Sequence, residues 1–407
     1  MYLDRTMKDC WAEAGEQFPV LLLTGPRQVG KTTLLRHLCG TERRYVSLDD
    51  PSMRVLAVED PALFVQRFEP PVLIDEIQYA PQLLPRLKMA VDADRRPGMF
   101  WLTGSQQFQM MRGISESLAG RVAILNLLGF SSRERHRLEL TVPPFLPTRS
   151  AIEARGASAA KTNLRSVYKD IYLGSFPSLT AGPVRDRDLF YSSYLQTYLQ
   201  RDVKDLAQVG NEMAFVRFLR ACAARTGQML NLTDLARDAD VAVNTAKSWL
   251  SILQASLQVY ILPPYSTNLT KRLVKRPKLY FLDTGLCAYL TEWSSPETLS
   301  AGAMSGAILE TYVLCEVLKS WWHRGKTPHL YYYRDRDSSE VDFLFVQDRV
   351  LYPVEVKKSA SPKREMVQPF RALGRLKQPI GQGAVLCLCD QIVPLTKDVD
   401  ALPVGIL

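Results

Sequence analysis

Residues 25–32 have the sequence GPRQVGKT, which matches the phosphate-binding pattern G-x-x-x-x-G-K-[ST] at every fixed position. In such a loop the glycines let backbone N–H groups surround phosphates, Lys31 reaches the β- and γ-phosphates, and the Thr32 hydroxyl holds Mg²⁺. The loop follows an apolar run and precedes a helix-like stretch, whose positive end would face the same phosphates. The pattern therefore predicts a site for ATP and Mg²⁺. Its predicted residues in the loop are Gly25, Pro26, Gln28, Val29, Gly30, Lys31, Thr32 and Thr33.

Two acidic residues end the apolar run VLIDE at residues 72–76. If this run is a buried strand, it brings Asp75 to the magnesium ion and Glu76 to the water that attacks the γ-phosphate. We therefore add Asp75 to the predicted nucleotide-binding residues. Thr32 and Asp75 are the predicted metal ligands, and Lys31 and Glu76 are predicted to be catalytic.

Two other predicted strand ends carry polar residues. The run WLTGSQ offers a hydroxyl or an amide to the γ-phosphate or the attacking water, with Ser105 as the first catalytic candidate and Gln106 as the second. Asp49 and Asp50 follow an intervening apolar run. For these two, a turn and a contact with the metal's hydration shell are both open.

The runs LLLTGPRQVGKTTLL, VLIDEIQ, LTGSQQF and SESLAGR together resemble the AAA+ superfamily. They are similar in particular to a bacterial and archaeal AAA+ group with a C-terminal region of unassigned function, and the resemblance covers nearly the whole chain. It implies a homo-oligomer, such as a hexameric ring, in which an arginine completes the site of a neighbouring subunit. Arg121, in LAGR, matches that position, and a surface salt bridge is its alternative. Arg201, in YLQRDV, matches another motif, as a lid arginine or in a structural Arg–Asp pair.

Ionisable residues near the C-terminus form a second candidate site. Asp342 begins one apolar run, and Glu355 and Lys357 alternate with valines in another, so that these two share one face of a strand. Asp342 and Glu355 could hold Mg²⁺ against a phosphodiester while Lys357 positions the attacking water. The set resembles the PD-(D/E)XK nuclease superfamily, which adds Glu310 as the helix acid and Gln368 as a further polar contact. An exposed hairpin with alternating charges is the alternative.

Residues 231–253 contain two helix-like stretches joined by a short turn, which predicts a helix-turn-helix. A strand-like run at 259–263 and the segment KRLVKRPK, with five basic residues in eight, follow it and predict a wing on a DNA backbone. Protein-binding modules and AAA+ lids share this arrangement, and both remain open. The predicted DNA-contacting residues are Lys247, Lys271, Arg272, Lys275, Arg276 and Lys278.

These residues need a scaffold that brings strand ends together. Apolar runs separated by helical stretches predict a parallel sheet covered on both faces. The expected fold class is therefore α/β: a P-loop AAA+ parallel-sheet domain, then a helical and winged-helix region, then a small α/β nuclease-like domain. The predicted domains are residues 1–140 for the ATPase, 141–212 for a linker and helical lid, 213–295 for the winged helix, and 302–407 for the nuclease-like domain.

Composition narrows the class of protein and of partner. The chain has 407 residues, an apolar share of 46% and a net charge of +9, which favours a polyanionic partner such as DNA. The absence of a secretory pattern and of a membrane-length apolar run, and an odd number of cysteines, indicate a reduced cytoplasmic protein without a membrane partner. We expect ATP hydrolysis that moves or remodels DNA, branched DNA included. A regulatory or signalling ATPase that binds proteins, and a metal-dependent defence nuclease, are the alternatives.

Overall fold

The computed structural model describes residues 2–104, 117–199, 212–267, 276–335 and 337–407. None of the helices in these ranges is long and apolar enough to cross a membrane. Six residues singled out above lie outside the described ranges. They are Ser105, Gln106, Arg201, Lys271, Arg272 and Lys275.

The N-terminal domain contains a five-stranded sheet in the order β2-β3-β4-β1-β5, and every neighbouring pair in it is parallel. The interior strand β1 is buried along its whole length, as expected for a sheet that is covered on both faces. Because all five strands run the same way, their carboxyl ends meet at one edge. The prediction of a parallel sheet is confirmed. The strands are β1 (Val20–Thr24), β2 (Arg44–Ser47), β3 (Val72–Asp75), β4 (Phe100–Gly104) and β5 (Val122–Asn126).

Helices cover both faces of this sheet. One apolar core lies on the face of Leu21 and Leu23, and a second lies on the face of Val20 and Leu22. Alternate residues of β1 therefore contribute to different cores, which holds the strand in register. The helices of the domain are α1 (Met7–Gly15), α2 (Lys31–Leu38), α3 (Pro51–Glu59), α4 (Pro61–Arg67), α5 (Leu83–Ala93) and α6 (Ser132–Arg135), with a 3₁₀ turn at Ile77–Tyr79.

The segment predicted as a linker is ordered by a buried arginine. Helix α7 (Arg149–Gly156) lies within it, and the Thr148 side chain caps its first turn. Arg155 is fully buried and donates hydrogen bonds to the carbonyl oxygens of Pro143 (2.8 Å) and Ile406 (3.0 Å). The linker therefore contains a packed helix, which the sequence did not reveal because the contact with Ile406 joins positions that are far apart in the chain.

The middle region is helical and contains a small antiparallel sheet in the order β6-β8-β7. Its last two helices are joined by a short turn at Asp240, which has a left-handed conformation. In the second of these helices, Ala246, Trp249, Leu250 and Leu253 are buried as predicted. The elements are α8 (Leu164–Leu173), α9 (Pro177–Thr180), α10 (Arg187–Tyr198), α11 (Glu212–Ala223), β6 (Gln228–Met229), α12 (Leu232–Ala239), α13 (Val243–Ala255), β7 (Val259–Leu262) and β8 (Lys278–Phe281).

The C-terminal domain has a mixed six-stranded sheet in the order β13-β14-β12-β11-β10-β9. Strands β9, β10 and β11 form a meander and pair antiparallel. A 3₁₀ segment, Arg364–Leu376, follows them and has Pro369 inside it. The elements are α14 (Thr284–Leu290), α15 (Pro296–Ala301), α16 (Ser305–Trp322), β9 (Leu330–Arg334), β10 (Glu340–Gln347), β11 (Val350–Lys357), β12 (Gly383–Cys387), β13 (Val393–Thr396), β14 (Val399–Pro403) and a 3₁₀ turn at Val404–Ile406.

Buried polar contacts join helix α16 to the N-terminal domain. Glu316 accepts a hydrogen bond from the Ser132 backbone N–H (2.6 Å), and Lys319 donates to the Phe130 carbonyl oxygen (3.0 Å). Near the N-terminus, Arg5 pairs with the fully buried Glu134 (3.3 Å). The helix that carries Glu310 is therefore fixed to the domain that carries the phosphate loop.

Candidate functional sites: the phosphate loop and the C-terminal acid cluster

The phosphate loop requires glycine at both of its conserved glycine positions. Gly25 has φ = 153°, and a Cβ atom there would lie 2.0 Å from the Leu127 carbonyl oxygen. Gly30 has φ = 90° and precedes the first residue of α2. Backbone of this kind exposes N–H groups at the start of a helix, where an anion is stabilised. The loop thus has the form that the pattern predicts.

Lys31 lies over this loop. Its side chain is buried, and its ammonium donates to the carbonyl oxygens of Gly25 (2.9 Å) and Pro26 (2.8 Å). Both acceptors are neutral carbonyl oxygens. An ammonium held in this way is placed to bind phosphate oxygens.

Asp75 is held by three hydroxyl groups. Thr32 Oγ1 donates to Asp75 Oδ1 (2.8 Å), Thr103 Oγ1 donates to the same oxygen, and the Tyr45 hydroxyl donates to Oδ2 (3.2 Å). The strand ends of β2, β3 and β4 bring these groups to the first turn of α2. The structure therefore joins the two predicted metal ligands directly. Tyr45 and Thr103 are positioning residues that sequence reasoning missed, since only the pairing of strands identifies them.

Glu76 follows β3 in a left-handed conformation, with φ = 59°. Its backbone N–H donates to Thr103 Oγ1 (3.1 Å), and its carboxylate accepts a hydrogen bond from Gln78. Glu76, Lys31 and Thr32 line one cavity of about 560 Å³. The same cavity is lined by Thr197 of α10, a contribution from the middle region that the sequence did not reveal.

A second cavity of about 200 Å³ adjoins the first, because Gly30 and Thr33 line both. Its other walls come from the N-terminal residues Tyr2 and Leu3 and from the segment around Pro177. The N-terminal segment and the middle region therefore enclose a pocket beside the helical end of the phosphate loop.

The C-terminal acidic residues also lie together. Asp342 accepts a hydrogen bond from the Val356 backbone N–H (2.9 Å), and Glu355 accepts one from Lys357 (2.6 Å). Burial, followed by the charge of Asp342, raises the pKa of Glu355 to about 8 and that of Glu310 to about 7. Burial also raises the pKa of Asp342. These mutual effects place the carboxylates within electrostatic reach of one another.

Ammonium groups already hold two of these carboxylates. Glu310 accepts hydrogen bonds from Lys278 (3.0 Å) and from the Tyr280 hydroxyl, and Glu355 is paired with Lys357. Across the described ranges, no group of three or more histidine, cysteine, aspartate or glutamate side chains is arranged to hold a metal ion. In this arrangement the residues do not fit Mg²⁺.

Three regions of the chain match known family models. Residues 17–136 match the model described as AAA domain, and residues 164–297 and 305–407 match two models described as domains of unknown function. Two curated relatives are the "Uncharacterized protein Mb2031c" of Mycobacterium bovis and the "Uncharacterized protein Rv2008c" of Mycobacterium tuberculosis. Each is 33% identical over 349 residues, which cover 84% of this chain and 71% of the relative. The chain belongs to their family. Its N-terminal domain has the parallel-sheet fold of a P-loop domain and matches the AAA model over residues 17–136.

Solved structures with a similar fold are more distant. The Walker-type ATPase PABY2304 of Pyrococcus abyssi has 16% identity and a TM-score of 0.40, over 71% of this chain and 96% of its own. The RuvB Holliday junction branch migration motor of Thermotoga maritima has 18% identity and a TM-score of 0.30, over 63% of this chain and 89% of its own.

Arg121 lies away from the phosphate loop of its own chain. It precedes β5 at the amino end of the parallel strands, whereas the loop follows the carboxyl end of β1. Its side chain is partly exposed and pairs with Asp92 (2.6 Å), and this hydrogen bond lowers the pKa of Asp92. Both the trans-acting role and the surface salt bridge are compatible with this position.

Three of the predicted DNA-contacting residues lie within the residue ranges that the structure describes. Lys247 on α13 and Arg276 before β8 are exposed. Lys278 is only 3% exposed and pairs with Glu310 and Glu340 (2.6 Å). The prediction that Lys278 contacts DNA was wrong, because the side chain at the first position of β8 points into the acid cluster instead of the solvent.

Gln368 lies apart from the acid cluster. It lines a cavity of about 780 Å³ together with Arg364 and Arg371, and none of the four predicted nuclease-like residues lines that cavity. Its expected contact with the nuclease-like site is therefore not formed in this structure.

Proposed function

We propose that this protein binds ATP with Mg²⁺ at the phosphate loop, hydrolyses it, and uses the turnover to move or remodel DNA. The observation that supports the catalytic part is the contact between Thr32 and Asp75 beside the buried Lys31. Thr32 and Asp75 supply the hard oxygen ligands that Mg²⁺ prefers. When bound there, the ion would neutralise charge on the β- and γ-phosphates.

The protein side chains have separate tasks in hydrolysis. Lys31 exchanges its two carbonyl partners for phosphate oxygens and stabilises the charge that develops on them. Glu76 accepts the proton of the attacking water, and its hydrogen bond with Gln78 keeps the carboxylate at the cavity wall. The adenosine part of the nucleotide occupies the adjoining cavity of about 200 Å³ beside Gly30 and Thr33.

Arg121 acts on the site of a neighbouring subunit in a homo-oligomer such as a hexameric ring. Its position supports this role, because it lies at the opposite sheet edge from the phosphate loop of its own chain. The ion pair with Asp92 is largely solvated, so it costs little to break when subunits meet.

The catalytic assignment is tested by Lys31→Ala and Glu76→Gln. We expect each variant to lose ATP turnover by about 100-fold or more, because each removes a group that acts on the transition state. Lys161→Ala and Glu59→Gln alter exposed residues of the same types and serve as controls. Full turnover in Lys31→Ala and Glu76→Gln would refute the assignment.

DNA is the proposed target because of the order of elements in the middle region. A helix, a short strand, two helices joined at a turn and an antiparallel hairpin follow one another from α11 to β8, which is the order of a winged helix. Lys247 lies on the exposed face of the second turn-linked helix, and Arg276 lies in the hairpin. The described cysteines are all free thiols, which fits a cytoplasmic location for this activity.

A salt titration separates this proposal from a regulatory ATPase that binds proteins. DNA affinity that falls steeply with salt supports phosphate contacts, and Lys247→Ala should reduce the steepness of that dependence. Absence of binding to duplex, junction and single-stranded DNA would favour the regulatory function.

A nuclease is the second candidate function. The cluster of buried carboxylates around Asp342 favours it, because carboxylate oxygens are ligands that divalent cations bind. Cleavage of DNA that requires Mn²⁺ or Mg²⁺ and is lost in Asp342→Asn would support it. The absence of cleavage under conditions in which Mn²⁺ binds at Asp342 would reject it.

A further inference from the structure

Lys278 connects the middle region to the C-terminal acid cluster. It is the first residue of β8, yet its ammonium lies 3.0 Å from Glu310 Oε1 on α16 and 2.6 Å from Glu340 Oε1 on β10. Tyr280, on the same strand, donates its hydroxyl hydrogen to Glu310. One strand of the preceding module therefore supplies both of these donors to the helix acid of the cluster.

The charge of this lysine matches its surroundings. Burial disfavours the ammonium, but the nearby carboxylates of Glu310, Asp342 and Glu340 outweigh burial and raise the pKa of Lys278. A buried charge of this kind is tolerated only when opposite charges contact it directly. The ammonium thus occupies the place among the carboxylates that a metal ion would otherwise take.

We propose that Lys278 is the built-in cation of the C-terminal acid cluster, and that the cluster binds a divalent metal ion only when this ammonium is withdrawn. The carboxylates of Glu310, Asp342 and Glu355 have the right chemistry for such an ion, but Lys278 and Lys357 occupy two of them. This inference concerns a site distant in sequence from the phosphate loop and does not depend on ATP hydrolysis.

The test measures binding of Mn²⁺ to the full chain without nucleotide, by the loss of the free-ion electron paramagnetic resonance signal. Four proteins are compared: the wild type, Lys278→Met, Asp342→Asn, and the double variant. Methionine keeps the length of the buried side chain and removes its charge. Each protein is compared with its counterpart that carries Asp342→Asn. This comparison subtracts any Mn²⁺ that binds at the phosphate loop, because both proteins of a pair keep that loop.

We expect Lys278→Met to gain one Mn²⁺ site per chain. Its affinity for Mn²⁺ should be about tenfold or more higher than that of any Asp342-dependent site in the wild type. The added site should disappear in the double variant. Lys169→Met, which removes an exposed lysine of the middle region, should bind as the wild type does.

A second variant protects the test against misfolding. Lys278→Gln also removes the charge but keeps a hydrogen-bond donor, and thermal unfolding shows which variants are folded. Equal Asp342-dependent binding in the wild type and the Lys278 variants would overturn the proposal. Absence of a gain in every folded Lys278 variant would also overturn it. Failure of both Lys278 variants to fold would overturn the proposal as well. The fold would then require the ammonium, which could not be exchanged for a metal ion.

Discussion

The two acid-containing sites of this molecule hold their carboxylates with different donors. At the phosphate loop, neutral hydroxyls from Thr32, Thr103 and Tyr45 hold Asp75, so its negative charge remains available to a cation. In the C-terminal cluster, ammonium groups from Lys278 and Lys357 hold the carboxylates and compensate their charge. The same type of side chain is therefore ready for a metal ion at one site and already neutralised at the other.

The difference follows from where each site lies in the fold. Asp75 ends a strand at the open edge of a parallel sheet, beside a cavity of about 560 Å³. Glu310 lies on helix α16 and contacts Lys278 of strand β8, and little solvent reaches it. In the proposed function the open site would obtain its remaining positive charge from nucleotide-bound metal and from other subunits, while the enclosed cluster obtains it from within the chain.

The largest expected effect concerns the positive charge that Arg121 of a neighbouring subunit would supply to the phosphate-loop site. If Arg121 completes a neighbouring site, Arg121→Ala should reduce ATP turnover by about 1,000-fold, as the loss of an arginine finger does. Mixing Arg121→Ala with Lys31→Ala subunits should restore part of the turnover, measured by phosphate release. In mixed oligomers an intact loop can meet an intact arginine. No recovery on mixing would assign Arg121 to its ion pair with Asp92.

A second variant tests the availability of Asp75. Asp75→Asn keeps the size of the side chain and removes its charge, so we expect ATP turnover to fall by about 100-fold. Nucleotide binding without metal, followed by a fluorescent ATP analogue, should change little. Asp49→Asn alters an exposed turn residue and is the matched control. Equal turnover in the two variants would contradict the role of Asp75.

The enclosed cluster predicts a dependence of stability on pH. The pKa of Glu355 is raised to about 8 in the folded protein, so the folded state binds more protons than the unfolded chain between about pH 4.5 and 8. Stability should therefore fall as the pH rises through this range. Glu355→Gln should reduce the fall by an amount on the order of 2 kcal/mol. Chemical denaturation in the presence of a chelator measures the free energy of unfolding of the wild type and of Glu355→Gln at each pH. Parallel curves of this free energy against pH would contradict the prediction.

The smallest effect concerns a hydrogen bond at the open site. Tyr45→Phe removes one neutral donor to Asp75, and we expect the Mg²⁺ concentration for half-maximal ATP turnover to change by about threefold. The maximal rate at saturating Mg²⁺ should stay close to that of the wild type. A loss of maximal rate without a change in Mg²⁺ dependence would assign Tyr45 a structural role instead.

Local patterns in the sequence predicted most of the open site. The pattern GPRQVGKT fixes the loop, and the predicted helix at Lys31–Leu38 has the same bounds in the structure. Parallel strands with apolar cores also place Asp75 beside Thr32. Tyr45, Thr103 and Thr197 could not be predicted, because their roles depend on which strands and helices become neighbours.

The enclosed cluster shows the limit of such patterns more clearly. The spacing of Asp342, Glu355 and Lys357 predicted that they share one site, as their contacts and mutual pKa effects indicate. Lys278 was predicted to face DNA, because five basic residues in eight suggest an exposed segment. The carboxylates of Glu310 and Glu340, which pair with Lys278, lie 32 and 62 positions further along the chain. Only tertiary packing brings them to this lysine.

The most direct test counts the metal ions bound by the wild type in the presence of a non-hydrolysable ATP analogue. Mn²⁺ titration followed by electron paramagnetic resonance should give one tightly bound ion per chain. That ion should be lost in Asp75→Asn and retained in Asp342→Asn, because only the hydroxyl-held carboxylate is free to accept it. Two tightly bound ions per chain, or loss of the single ion in Asp342→Asn, would contradict this account.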